Sequence, residues 1–581
     1  MSKHQRLAKA VSPVIETLER RRLLASSIVL NTLTGPTLAS SGTSGVQQNP
    51  DVAVGNEIAV MVWADSNASG GSGIDVVGRR FDSEGEFAGG AFRVNTTTTG
   101  DQDSAAVAAA DDGSFVVVWT DQSVNPSRIR AQRFSSSASA AGSEFTVNTD
   151  TTNSKGNPAI GMSGDGRFIV VWQSAGQDGD GTGIYGQRYS SDGTPSGGEF
   201  LVNSTTSGDQ FDAAVAMDDS ANFAATWVST DTDGEGVFRR LFNSAGTAQQ
   251  SDTLVNTTES DDQRQPDIAM AGNGKFVIAW SSDAQDGSGQ GVYFQRFDSS
   301  SAAQGSETLV NQTTDGNQRL GSVAINDGGS FTVAFQDQST DPFSIRARKF
   351  ASDGSATTSE SLVGTSTATS ARPNIARISD LRLALATNSN EGGNDDVFAT
   401  LVTSQLEVRA DAAGSSVVIS ESSGDVVVSV DGSPETFSPS FESLRVIGGA
   451  GNDVISIGDD LPSAIKTISA DGGGGDDEIS GSNASERLDG GEGKDTIDGG
   501  DGEDTIDGGD GDDSLRGGDG DDNLSGDDGN DSIEGNDGTD TVRGDADDDT
   551  LNGGEGTDTI DGGSGTDYVV YYNRQEDLTI T

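Results

Sequence analysis

The 581-residue chain contains no cysteine and one histidine, His4. Without thiols there are no disulfides, no zinc–thiolate centre and no cysteine nucleophile. With the only imidazole at the extreme N-terminus, Ser-His-Asp triads, histidine metal centres and imidazole acid–base chemistry are excluded. Basic residues are scarce: 35 Lys and Arg stand against 92 Asp and Glu, a formal net charge of −57. An ordinary nucleic-acid binder is excluded, because phosphate contacts need Lys and Arg clusters. No run approaches 18 apolar residues, so no membrane-spanning helix is expected. Any catalysis would rest on carboxylates, Lys, Tyr or Ser, and no unit of the long N-terminal repeat carries a singular acid constellation. The expectation is a protein that is not an enzyme.

The acids that are present are concentrated. Gly472–Val570 holds 32 acids and 4 bases, a net of −28, so about half the charge lies in about a sixth of the chain. Such a segment should repel itself and stay open. Yet an aliphatic residue returns every nine positions, as at Ile506, Leu515 and Leu524.

The first two-thirds repeats at about 54 residues. Trp63, Trp119, Trp172, Trp227, Trp280 and Phe335 succeed one another at intervals of 53 to 56. A second marker, V-N, recurs at Asn95, Asn148, Asn203, Asn256 and Asn311, and an Arg-rich strand ending in an aromatic recurs with it. Within a unit, Phe115-Val116-Val117-Val118-Trp119 is β-branched and aromatic and comes after the turn Asp111-Asp112-Gly113. Four short strands per unit at this period predict propeller blades. Three-strand sets begin near Pro50, Ala105, Asn157, Ala213, Pro266, Gly321 and Pro373. The strand Ile28-Val29-Leu30-Asn31-Thr32 would complete the last and leave no edge. The prediction is an all-β chain, a seven-bladed β-propeller over residues 27–403 and then a parallel β-roll. The recurring aromatics are read as packing between blades. Loops carrying Asp178, Asp180, Asp231, Asp233 and Asp286 read as polar hairpin loops. Closely spaced carboxylates on such loops also suit Ca²⁺, although the distant Glu of an EF-hand is missing.

Residues 404–447 alternate apolar and polar and predict a β-rich linker or the first coils of the roll. A first nonapeptide copy stands at Gly448–Ile455, and from Gly472 to Val570 eleven units run in phase as G-G-x-G-x-D-x-U-x, with U aliphatic. A strand x-U-x turns one side chain in and two out. The glycines permit the turn before it. Two nonapeptides then make one coil of a flattened parallel roll, and coils 18 residues apart stack at ~4.8 Å. Position six is thereby stacked: Asp453, Asp477, Asp495, Asp504, Asp513, Asp522, Asp531, Asp540, Asp549, Asp558 and Asp567, with Glu486 in the second unit. One buried aliphatic per nine residues cannot offset the entropy of ordering them plus the repulsion of stacked charges. Carboxylates and glycine carbonyls form the all-oxygen shell that Ca²⁺ prefers over the stricter Mg²⁺, so binding would become folding free energy. A merely solvating acidic tail would not keep an aliphatic residue in phase. The units GSNASERLD and GDADDDTLN have lost glycines, which puts the sites beside them in question.

This tract, residues 448–570, resembles the RTX, or haemolysin-type, calcium-binding repeat of secreted bacterial proteins. The resemblance implies several Ca²⁺ ions held by these aspartates, with 571–581 as a C-terminal cap. Within residues 1–26, Leu18-Glu19-Arg20-Arg21-Arg22-Leu23-Leu24 resembles the LEPR-XLL element found near the start of many bacterial surface proteins, with Arg20 in place of proline. It implies a targeting segment. The expected protein is secreted or cell-surface and extracellular, calcium-binding, and presents its propeller for adhesion to an extracellular glycan or protein. The alternative is a secreted carboxylate-based enzyme acting on a polysaccharide at the propeller axis.

Overall fold

The computed structural model describes residues 25–32, 37–39, 46–66, 73–83, 85–231, 234–366, 372–379, 381–391, 394–410, 414–438, 441–570 and 579–580. The LEPR-XLL-like stretch, most of the expected cap and Asp233 lie outside them. The chain divides into two compact units, one of Leu30–Thr403 and one built mainly of Ser404–Thr581.

The first unit holds six antiparallel four-stranded sheets, each in chain order. The first comprises Gln47–Gly55, Ile58–Asp65, Asp75–Phe81 and Phe92–Arg93. The sixth comprises Gln318–Ile325, Phe331–Asp337, Phe343–Phe350 and Ser361–Ser366. The second strands are buried over nearly their whole length because both their faces meet neighbouring sheets; Phe115–Asp121 is buried at every residue. Trp172 packs with Val116 and Val118 of the preceding blade, so the aromatic repeat is interblade core. The V-N marker is also explained. Each buried asparagine accepts, on its side-chain oxygen, the N–H of a residue in the third strand: Asn95 from Val76 at 2.8 Å, Asn148 from Ile129 at 2.9 Å, Asn203 from Ile184 at 2.8 Å. The Arg-rich strand staples blades together. Arg80, Arg188 and Arg296 each donate from Nη1 to a serine carbonyl 56 residues on, in the turn of the next blade.

The propeller has six separate four-stranded blades, not the seven predicted. A further set, Asn374–Arg377, Arg382–Glu391 and Asn394–Arg409, packs on the first blade through Ala386, Val397 and Leu401 and on the sixth through Leu385 and Val402. Its last strand also pairs with Ala25–Thr32 and with Thr37–Leu38. It is not a further four-stranded sheet in chain order like the six, because only three consecutive strands belong to it and the last of them is 16 residues long. Within it Leu385 pairs with Thr400.

The second unit is two parallel ladders facing each other. One runs from Gln405–Arg409 through Ser443–Ala450, Thr467–Gly474 and Glu486–Glu492; the other begins at Ser416–Ser422 and Val454–Ile457. Residues 404–447 therefore contribute rungs. Val454 lies over Glu478, a coil of 24 residues, and from Ile468 over Glu486 the coil settles at 18. Ile497 stacks on Leu515 and Ile506 on Leu524. These inward aliphatics, from Ile479 to Ile560, are at most 2 % exposed. Among the described residues, no helix is long and apolar enough to cross a membrane.

Candidate metal centre

Parallel stacking at an 18-residue period sorts the position-six carboxylates into two rows. One contains Asp453, Asp477, Asp495, Asp513, Asp531, Asp549 and Asp567; the other contains Glu486, Asp504, Asp522, Asp540 and Asp558. Within a row each aspartate accepts, on Oδ1, the backbone N–H of the row member one coil earlier. Asp513 takes it from Asp495 at 2.8 Å, Asp531 from Asp513 at 2.8 Å, and Asp522 from Asp504 at 2.8 Å. All the aspartates from Asp453 to Asp558 are at most 3 % exposed; Asp567, at the end of its row, is only half-buried.

The second oxygen is different. Oδ2 of Asp477, Asp495, Asp504, Asp513, Asp522, Asp531, Asp540 and Asp549 is buried and accepts no hydrogen bond. A buried carboxylate oxygen without a partner is costly. It sits over the first glycine of its own unit. A Cβ placed on Gly490 would lie 2.5 Å from Asp495 Oδ2 and 2.6 Å from the carbonyl oxygen of Gly508 on the next coil. On Gly508 it would lie 2.6 Å from Asp513 Oδ2 and 2.9 Å from Gly526 O. Two oxygens thus converge on one hollow with no donor between them, and only glycine leaves the hollow open. A hard cation with flexible oxygen coordination fits such a place. Among the described residues no three carboxylates converge, so backbone carbonyls must complete the shell of any ion held here.

The electrostatics agree. Burial, opposed by the backbone hydrogen bond and reinforced by like charge one coil away, pushes Asp495 and Asp522 up to about 6. Asp504, Asp531 and Asp540 are pushed up to about 7 for the same reasons. Counter-charge is what these rows lack.

The two irregular units differ from each other. In GDADDDTLN, Asp545 and Asp547 adopt φ of 68° and 73°, left-handed values that aspartate tolerates, and Asp549 keeps both its ladder bond and its unpartnered oxygen. In GSNASERLD the carboxylate is closed off: Ser482 donates to Glu486 from both its N–H and its hydroxyl. A second ladder was not foreseen. The residue just before position six accepts, on its side chain, the N–H of its counterpart one coil later: Asp521 from Thr539 at 2.8 Å, Asp548 from Thr566 at 2.8 Å, Ser485 from Glu503 at 3.0 Å. The recurrence of short polar residues at position five was its signal.

The propeller loop carboxylates are spent locally. Asp180 accepts from Gly208 N–H at 3.2 Å, and Asp286 accepts from Ser288 N–H at 3.2 Å and from the Asn311 side-chain amide at 3.1 Å. Asp178 takes the N–H of Asp180 on Oδ1, and only its Oδ2 is left over.

The period, the two carboxylate rows and the glycine hollows coincide with one family description. Residues 469–569 carry four copies of the RTX calcium-binding nonapeptide repeat, matched at 469–497, 480–515, 498–533 and 534–569. RTX repeats bind calcium. Comparison with curated proteins finds no match. Among solved structures, a protein of unknown function from Dyadobacter fermentans DSM 18053 is similar at 11 % identity and a TM-score of 0.41, over 64 % of this chain and 99 % of that one. A polysaccharide lyase of family PL25, an ulvan lyase, is similar at 12 % identity and a TM-score of 0.43, over 64 % and 95 %. A puromycin hydrolase is similar at 11 % identity and a TM-score of 0.40, over 61 % and 52 %. At these scores the likenesses carry no argument.

Proposed function

We propose that this is a secreted or cell-surface calcium-binding protein whose roll folds on Ca²⁺ and whose propeller serves as an interaction surface. One observation carries the calcium half: eight buried carboxylate oxygens without hydrogen-bond partners, repeated in two rows over hollows that only glycine leaves open. Asp477, Asp495, Asp504, Asp513, Asp522, Asp531, Asp540 and Asp549 hold the ions, with Asp453, Asp558 and Asp567 at the row ends. Extracellular calcium modules bind at ~10⁻⁴–10⁻³ M, so the roll is open inside the cell and folded outside. Hydrogen exchange of the full chain in EGTA and then in millimolar CaCl₂ tests this. Residues 469–569 should exchange freely in EGTA and become protected with calcium; equal protection in both would end the proposal.

A second reading, a carboxylate-based enzyme acting on a polysaccharide, is favoured by Asp51 and Asp267, which both line the cavity on the propeller axis. Paired carboxylates are the machinery of glycoside hydrolysis. Turnover of any polysaccharide that Asp267→Asn abolishes would establish it.

A further inference from the structure

Two polar cavities in the propeller meet. One, of about 470 Å³, lies on the axis and is lined from the innermost strand of every blade. The other, of about 530 Å³, lies between the second and third blades. Ser104 and Asn157 line both. The innermost strands are bulged where they reach the axis, as between Asp103 and Ala106 and between Gly156 and Ala159. At each bulge a residue other than glycine is held left-handed: Asn49 at φ 53°, Ser104 at 51°, Asn157 at 47°, Asp212 at 50°, Gln265 at 56° and Leu320 at 59°. Bulges re-aim side chains. Asn49, Ser104, Asn157 and Asp212 line the axial cavity, and Gln265 and Leu320 do not.

The lining has mixed sign. Asp51, Asp212 and Asp267 share the axis with Arg372 and the amides of Asn157 and Asn374. Asp51 and Asp267 each give one oxygen to a backbone N–H, of Val107 at 2.8 Å and Val323 at 2.9 Å. Arg372 donates to the Pro266 carbonyl at 3.2 Å, while its buried Nε donates to nothing. In the side cavity Thr120 is 4 % exposed, and its buried hydroxyl has no partner. Among the described residues no aromatic lines either cavity.

This chemistry rejects most ligands. An apolar molecule would strand the carboxylates and amides. An anion meets three carboxylates. An organic cation meets Arg372, and a metal ion lacks three converging carboxylates among the described residues. What remains is an uncharged molecule dense in groups that both donate and accept: hydroxyls given to Asp51, Asp212 and Asp267, and hydroxyl oxygens taken by Arg372, Asn374 and Thr120. The volumes are those of ligand sites.

We propose that the propeller binds a neutral oligosaccharide, with one sugar in the axial cavity and the next along Thr120 between the second and third blades. The proposal rests on the propeller's role as an interaction surface and names its site and ligand class.

Calorimetry on the full, calcium-loaded chain tests it, with neutral trisaccharides of glucose, xylose, mannose and galactose, and with putrescine and glucuronate as charged probes. At least one neutral sugar should bind. Arg372→Gln and Asp212→Asn should each weaken it roughly tenfold or more, and Thr120→Val should weaken it with no loss of melting temperature. Three results would overturn the proposal: no neutral sugar bound at about 10 mM, affinity unchanged in all three variants, or a charged probe held more tightly than every neutral one. Hydrogen exchange of residues 469–569 in the same samples reports separately on the calcium reading, so the two can fail independently.

Discussion

At the scale of one residue, each position-six aspartate has two oxygens with two jobs. Oδ1 ties coil to coil and Oδ2 is left bare. Asp513→Asn separates them. The amide oxygen still accepts the Asp495 N–H, but the charge is gone. We expect the loaded protein to lose at least one calcium by elemental analysis, with affinity at the neighbouring positions down about tenfold. Gly508→Ala attacks the same place from the other side. Gly508 does not need a left-handed backbone, so the methyl acts only by filling the hollow between Asp513 Oδ2 and Gly526 O. It too should reduce the bound calcium. The aspartates were legible in the sequence because the nine-residue period puts them in phase with the aliphatics. Their unequal oxygens were not. The ladder bond joins residues a whole coil apart, 24 for Asp453 to Asp477 and 18 thereafter, and exists only once the coils stack.

At the scale of the repeat element, the rows make a proton-sensitive fold. Asp495, Asp504, Asp522, Asp531 and Asp540 titrate near 6 to 7 in the folded, metal-free roll, against an ordinary 3.8. The folded state therefore binds protons more tightly than the open chain. Its stability from these groups is complete below about pH 4 and is lost as the pH rises through 6 to 7. In EGTA, circular dichroism should show β-structure gained on acidification from pH 7.5 to 4. In calcium the signal should already be present at pH 7.5, and calcium affinity should fall as the pH drops through 7 to 5 because protons take the same oxygens. Glu486 breaks its row because Ser482 satisfies it. Ser482→Gly with Glu486→Asp restores the bare oxygen and the hollow, and should add calcium relative to the parent in the same titration. The missing glycine at Ser482 was legible; that the longer acid would fold back onto that serine was not, because it depends on side-chain reach.

At the scale of the whole molecule, the two units are held by different forces. The propeller buries tryptophans and staples its blades with arginines, whereas the roll has one aliphatic per nonapeptide and rows of buried acid. The blades were legible from their period, and the count failed for a local reason. From Val397 to Arg409 the chain has no Gly, Pro, Asn or Asp to mark an end, so where the last strand stops was invisible. The difference in forces should appear in scanning calorimetry. A ligand that binds only the folded form at 100 times its dissociation constant stabilises by about 2.7 kcal/mol per site, and several sites in one short roll add up. Calcium should therefore create or raise one transition by tens of degrees in total. A second transition, belonging to the propeller, should move by no more than a few degrees, because its loop carboxylates already have partners in Gly208, Ser288 and Asn311. Asp513→Asn should lower only the first, and Arg188→Ala, which removes an interblade staple, only the second. If both transitions moved together with calcium, the propeller would hold ions of its own, and Asp178, with its one bare oxygen, is the residue to substitute next.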